Sequence, residues 1–262
     1  MALLDITTET VAFLIGAAFF AGWIDAVVGG GGLIQLPALL VALPGAAPIQ
    51  ILATNKFSSI FGTTTSAITY VRRIGVDRKT AIPLALAAFT GSAAGAFVAS
   101  RIPKEAFNPI VLVALVLVGA YTLLRPDMGR YAAVRYEGRR LTVLVTLIGV
   151  TIGFYDGALG PGTGSFFVFA LVGLGGYAFL GASAKAKIAN AATNLAALVV
   201  FVPQGAVLWS LGLAMAAANM AGGYLGARTA MARGSTFVRV VFMLVVGGFI
   251  VRIGYDLARD LL

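Results

Sequence analysis

The sequence has neither cysteine nor histidine among its 262 residues. Disulfide bonds and thiol chemistry are therefore excluded, as is every metal site that is built on thiolate or imidazole ligands. Proton transfer is left to Asp, Glu, Lys, Tyr and water. We expect neither a metal ion nor an organic cofactor.

Charge is also scarce. Asp, Glu, Lys and Arg make up 11% of the residues and hydrophobic types 60%, against roughly 25% and 45–50% in an ordinary globular domain. So much apolar surface has to be solvated by lipid. At about 20 apolar residues per membrane helix, the chain has room for roughly eight to ten membrane segments and for no sizeable soluble domain.

The charges that are present are mostly basic, and the formal net charge is +9. The Lys and Arg residues fall in short clusters between apolar runs, which is typical of the cytoplasmic loops of membrane proteins. We therefore expect a lipid bilayer around the chain and no nucleic-acid partner. The N-terminus carries Asp5 and Glu9 and lacks the basic start of a signal peptide, so the first apolar run is expected to stay in the mature protein.

Apolar runs divided by glycine, proline and charged residues predict ten helical segments, five in each half. The first five are Thr10–Val28, Leu33–Leu43, Ile49–Val71, Thr80–Ser100 and Ala106–Leu124. The second five are Leu141–Leu159, Gly164–Leu180, Ala182–Val202, Val207–Met231 and Phe237–Leu257. The chain is thus predicted to be an all-α polytopic membrane protein.

The two halves resemble each other in sequence. Residues 22–31 match residues 153–162 with an offset of 131, and Asp25 thereby matches Asp156. Residues 53–56 answer residues 182–185, which equates Lys56 with Lys185, and Gly91-x-x-x-Gly95 answers Gly222-x-x-x-Gly226. We therefore expect a first repeat over 1–125, a basic cytoplasmic linker over 126–140 and a second repeat over 141–262.

Each predicted repeat contains an apolar run that is interrupted by glycines, at 29–32 and at 160–164. The run from Thr10 to Leu43 is too long for one crossing and too short for two, since a helix rises 1.5 Å per residue and the hydrocarbon core is about 30 Å thick. A re-entrant hairpin fits best, with three transmembrane helices completing each repeat. Five segments per repeat invert one half relative to the other, an arrangement found in secondary transporters.

An opened backbone at these breaks can present N–H groups and helix N-termini to an anion. The alternative is that the glycines only allow helices to pack closely, the role that we expect for Gly91, Gly95, Gly222 and Gly226. The candidate anion-binding residues at the breaks are Gly30, Gly31, Gly32, Pro161, Gly162, Thr163, Gly164 and Ser165.

Charged residues inside apolar segments are functional candidates, because a charge near the bilayer centre costs at least about 2.5–3.5 kcal/mol. Lys56 and Lys185 are candidate anion ligands, unless their long stems reach the membrane surface. Lys187, Asn190 and Asn194 share one helix face, as do Lys56, Ser59 and Thr63; these faces line a polar path or hold helices together. Asp25, Asp156 and Lys187 either couple transport to protons or have a structural role.

These residues resemble those of the sulfite exporter TauE/SafE family, also called four-toluene-sulfonate uptake permeases. The likeness rests on Asp25-x-x-x-Gly29 through Pro37, on Ala53-Thr54-Asn55-Lys56, on Gly157 through Ser165, and on Ala184-Lys185-x-Lys187-x-x-Asn190-x-x-x-Asn194. The resemblance implies a multi-pass transporter of the bacterial inner membrane for small anions, many of them sulfur-containing or organosulfonate compounds. It adds Asn55 to the candidate substrate-binding residues.

Three functions are compatible with the sequence. A secondary transporter would move a small anion, such as a sulfur oxyanion, an organosulfonate or a small carboxylate, by alternating access and with H⁺ or another coupling ion. An anion channel is a second possibility. A polytopic membrane enzyme is disfavoured, because it would need an acid–base or metal constellation that this composition does not offer.

Overall fold

The computed structural model describes residues 7–101 and 135–261, together with Val113. These residues form helices and turns, and no strand occurs in the ranges just given. Apart from Val113, the predicted segment Ala106–Leu124 lies outside the described residues, as does most of the predicted linker.

Eight helical elements follow one another in the described ranges, and the last of them is interrupted once. They are α1 (Thr8–Val28), α2 (Gly32–Ala42), α3 (Pro48–Ile74), α4 (Arg78–Ala99), α5 (Gly138–Ala158), α6 (Thr163–Gly173), α7 (Phe179–Phe201) and α8 (Trp209–Leu261). A 3₁₀ turn, Val202–Gln204, extends α7. Gly234 interrupts α8 with a non-helical backbone (φ 73°, ψ −173°), so α8 consists of two helices, as the two predicted segments require.

Local sequence sets several helix ends. The Thr7 hydroxyl accepts a hydrogen bond from Thr10 N and caps α1, while Asp77 accepts from Lys79 N and caps α4. The Thr80 hydroxyl also donates to Asp77 at 2.6 Å, and these hydrogen bonds lower the pKa of the Asp77 carboxyl below its ordinary value. α6 ends at Gly173, seven residues before the predicted Leu180, because Gly175 and Gly176 follow and Gly176 takes a left-handed φ of 76°.

Four of these helices are long and apolar enough to cross a membrane: Thr8–Val28, Arg78–Ala99, Gly138–Ala158 and Phe179–Gln204. α2 and α6 are apolar but have only 11 residues each, about half of what a crossing needs. Large apolar side chains such as Phe20, Leu86 and Leu147 are more than 60% exposed on the outer faces. The described residues thus form a polytopic helical membrane protein.

Glycines bring the long helices into backbone contact. α1 packs along α8, and α4 packs along α5. A Cβ on Gly91 would lie 2.3 Å from Val150 O, and one on Gly222 would lie 2.0 Å from Phe19 O. Side chains do not fit at either crossing, which confirms the packing role predicted for the Gly-x-x-x-Gly pairs.

Candidate functional site

The two glycine breaks lie in backbone contact with each other. Gly29 ends α1 with a left-handed φ of 89°, and Gly160 and Gly162 take φ values of 93° and 78°. Ser165 N donates to Gly29 O at 3.0 Å, and the Ser165 hydroxyl donates to Val28 O at 2.9 Å. The backbone that each break exposes is thus partly satisfied by the other break, as membrane burial demands.

Two buried ion pairs lie beside this contact. Lys56 Nζ on α3 is 2.6 Å from Asp156 Oδ2 on α5, and Lys187 Nζ on α7 is 3.0 Å from Asp25 Oδ2 on α1. Lys187 Nζ also donates to the backbone carbonyl of Asp25. Each pair joins the first half of the chain to the second, and each charge is compensated where hydration is excluded.

A small polar cavity lies between the two pairs. Its free volume is about 20 Å³, which is room for about one water molecule. All described helices except α4 contribute to it. Its lining residues are Ala21, Asp25, Gly29, Gly31, Gly32, Asn55, Lys56, Ser59, Thr63, Asp156, Gly160, Thr163, Gly164, Asn190, Asn194 and Asn219.

Asparagines connect the helices around the cavity. Asn190 Nδ2 donates to Asp25 Oδ1 at 3.4 Å, and Asn194 Nδ2 donates to Thr63 Oγ1 at 3.3 Å. Asn219 Nδ2 donates to Gln35 Oε1 at 2.8 Å. Asn55 differs, because its Oδ1 is buried on the cavity and has no hydrogen-bond partner. An unsatisfied buried acceptor costs about 1–3 kcal/mol, so Asn55 Oδ1 is a place where a donor in the cavity would bind.

The structure gathers most of the predicted site residues around this cavity. Those that line it are Gly31, Gly32, Asn55, Lys56, Thr163, Gly164, Asn190 and Asn194, with Asp25 and Asp156. Gly30, Pro161, Gly162 and Ser165 lie at the breaks but are not among the lining residues. Lys187 is not among them either, but it pairs with Asp25, which is. Ser165 uses its hydroxyl and its N–H to join the two breaks.

Lys185 is placed elsewhere. Its Nζ lies 4.3 Å from the centre of the Tyr177 ring and does not line the cavity. Successive helical residues are 100° apart, so Lys185 and Lys187 project to different sides of α7. The sequence comparison equated Lys56 with Lys185, whereas the ion pairs equate Lys56 with Lys187, since 187 − 56 and 156 − 25 are both 131.

Asn219 is the main contributor that the sequence reasoning missed. It lies 3% exposed within the apolar run of α8, and its amide bonds to Ala18 O and to Gln35. The sequence does mark this residue, since Asn219 is a single amide among alanines and methionines in an apolar run. Polar side chains inside membrane helices bond to a polar partner or line a cavity. In the part of the chain that the structure describes, no group of three acidic side chains occurs.

The chain is similar to known proteins that are named as membrane transporters. Residues 14–253 match the family model described as "Sulfite exporter TauE/SafE". The chain is 39% identical over 253 residues to "Probable membrane transporter protein ORF9" of Sinorhizobium sp, covering 96% of this chain and 95% of that protein. It is 34% identical over 252 residues to "Probable membrane transporter protein YfcA" of Escherichia coli K12, covering 93% and 90%. No solved structure gives a significant match.

Proposed function

The chain belongs to the sulfite exporter TauE/SafE family, and we propose that it is a secondary transporter that moves a small anion by alternating access between two inverted repeats. Membership makes the protein a membrane transporter and not an enzyme. A bacterial inner membrane is consistent with its relatives. The substrate is a sulfur oxyanion, an organosulfonate or a small carboxylate.

The repeats are supported by equivalences at one spacing of 131 residues. α2 and α6 begin at 32 and 163 and end at 42 and 173. One apolar core contains Leu14, Leu36, Phe201 and Met215, and the other contains their counterparts Val145, Phe167, Tyr70 and Leu84. The spacing favours repeats over 1–125 and 141–262, joined by the linker 126–140.

The inversion is supported by the way α3 and α7 run past each other. Thr63 and Asn194 meet at their middles. Thr54, near the start of α3, accepts a hydrogen bond from Leu208 N beyond the end of α7. Thr80, beyond the end of α3, bonds to Tyr177 before the start of α7. Equivalent helices are therefore antiparallel, and each repeat contains a re-entrant hairpin, α1–α2 or α5–α6, and three transmembrane helices.

The observation that carries the anion site is a pair of buried lysines on equivalent helices: Lys56 lines the cavity, and Lys187 pairs with Asp25, which lines it. Lys56 and Lys187 supply positive charge where helices from both repeats meet, and amide and hydroxyl groups of Asn190, Asn194 and Thr163 line the same space. The substrate-binding group is completed by the break residues, with Gly30, Pro161, Gly162 and Ser165 positioning the contact between the breaks. We do not propose Lys185 as a ligand, and its alanine variant serves as a control.

Binding and transport test the proposal directly. Sulfite, methanesulfonate or sulfoacetate should raise the melting temperature of purified protein, because a ligand that binds only the folded state stabilises it. Lys187→Ala should weaken binding by about 10–150-fold, the equivalent of a charge-assisted hydrogen bond of roughly 1.5–3 kcal/mol, while Lys185→Ala retains wild-type binding. Wild-type binding in Lys187→Ala would place the anion elsewhere. In proteoliposomes we expect saturable flux; an ohmic current would instead identify a channel.

The inverted arrangement has its own test. Arg73, at the end of α3, and Gln204, in the turn after α7, are exposed and 131 residues apart. The α3–α4 turn is flanked by Arg72, Arg73, Arg78 and Lys79, which the positive-inside rule places in the cytoplasm. In spheroplasts, an impermeant maleimide should label Gln204→Cys and should label Arg73→Cys only after permeabilisation. Labelling of both from the same face would mean that the repeats are parallel.

A further inference from the structure

The charges of the two ion pairs at the cavity cancel: Asp25, Asp156 and Lys56 line it, and Lys187 pairs with Asp25 from outside the lining. Asp25 on α1 and Asp156 on α5 face Lys187 on α7 and Lys56 on α3. The nearby Tyr70 and Tyr155 hydroxyls donate to Ala26 O and Pro161 O. α2 and α6 offer no ionisable group. Arg78 and Lys79, at the start of α4, are exposed. Among the α8 side chains that the structure describes, Arg228 and Arg233 are exposed as well. Among the described residues, the ionisable groups at the cavity therefore carry no net charge.

An anion that entered the cavity alone would give the site a net negative charge. A buried, uncompensated charge costs several kcal/mol, and the penalty grows with the charge. Both ammonium groups already have carboxylate partners at 2.6 and 3.0 Å. The anion therefore competes with Asp25 and Asp156 for the same two cations, and it can win only if a carboxylate loses its charge.

A proton meets this need with the least change in volume. The cavity has about 20 Å³ of free volume, and a metal cation would occupy part of that space, whereas a proton needs none of its own. A proton adds to a carboxylate that is already there. The neutral carboxyl becomes an O–H donor, and Asn55 Oδ1 lines the same cavity as a buried acceptor without a partner.

From this geometry, and resting on the proposed anion site, we infer that each anion enters together with as many protons as it has negative charges, taken up by the carboxylates of Asp25 and Asp156, so that transport is electroneutral. A monoanion brings one proton and a dianion two. Each proton comes from the aqueous side that the site faces, breaks one Lys–Asp ion pair, and leaves with the anion when the pair closes again.

Methanesulfonate is the best probe, because a sulfonate stays ionised over the useful pH range and any coupled proton must reside on the protein. The test uses proteoliposomes with the membrane potential clamped and a tenfold proton gradient, acid outside. This gradient should drive about tenfold accumulation of the monoanion, because one proton moving down a tenfold gradient releases the free energy that one anion needs to move up a tenfold gradient. The uptake rate should not change when the potential is altered at constant pH.

Two variants separate coupling from folding. Asp25→Asn and Asp156→Asn imitate the protonated carboxyl but cannot release a proton. Each should retain methanesulfonate exchange between the two sides and should lose accumulation driven by the proton gradient. Asp77→Asn is the matched control, because Asp77 caps α4 outside the cavity and Asn caps helices equally well; its accumulation should equal that of the wild type.

Distinct outcomes overturn the two proposals separately. Saturable methanesulfonate or sulfite flux that follows the membrane potential and ignores the proton gradient would disprove electroneutral coupling and leave the anion transporter standing. Flux driven by a sodium gradient alone would do the same. If neither anion is carried and neither shifts the melting temperature, the proposed substrate class is wrong and the coupling falls with it.

Discussion

Replacing Lys56 and Asp156 together by apolar residues, as in Lys56→Met/Asp156→Leu, should give a folded protein that transports no anion. The two side chains form a closed pair in which both partners are 2% exposed. Exchanging a buried ion pair for apolar groups of similar volume is often neutral or stabilising by about 1–4 kcal/mol. Transport should nevertheless be lost, because one of the two positive charges at the cavity is gone.

The single variants should behave differently. Lys56→Met leaves Asp156 buried without its cation, and breaking such a pair costs about 3–5 kcal/mol. The melting temperature should therefore fall in Lys56→Met and recover in the double variant, while methanesulfonate uptake into proteoliposomes stays at the level of empty liposomes in both. A double variant that transports at the wild-type rate would reduce the pair to a structural element.

Much of the fold is predictable from the sequence because the physics is local. A helix in lipid must bond its own backbone, so apolar runs and their breakers locate the helices. The starts of α2 and α6, at Gly32 and Thr163, lie one residue from the predicted Leu33 and Gly164. The prediction is wrong at Leu180, because hydropathy continues through residues 174–180 whereas Gly175 and Gly176 end the helix.

The site is predictable only in part, because partners are set by packing between distant segments. The glycine breaks and Lys56 stand out in the sequence. The choice between Lys185 and Lys187 depends on which face of α7 meets Asp25, a contact across 162 residues. Ser165 is predicted to face the anion, yet it bonds to Val28 across 137 residues. Helical periodicity places side chains on a face but does not say what that face contacts.

The backbone contact between the two breaks should be the position that tolerates substitution least. A Cβ on Gly29 would lie 2.2 Å from the carbonyl carbon of Gly164 and 2.4 Å from Ser165 N, and Gly29 has a φ of 89°. Alanine there meets backbone that cannot rotate away, in a left-handed conformation that costs roughly 1–2 kcal/mol for a residue with a Cβ. Gly29→Ala should therefore yield little or no folded protein, measured as the monodisperse peak after extraction in detergent.

Gly16 and Gly30 provide matched controls for the expected loss of folded protein in Gly29→Ala. Gly16, in the interior of α1, has open space where a Cβ would lie, with no atom within 4 Å, and it should accept alanine with a gain of about 0.5–1 kcal/mol. Gly30, the next residue after Gly29, would place its Cβ 3.3 Å from Leu33 Cδ1, the end of a side chain that can move. Gly30→Ala should fold and melt near the wild type. If Gly29→Ala melts as these two do, the two breaks are not held in backbone contact, and the cavity that they enclose is not built as described.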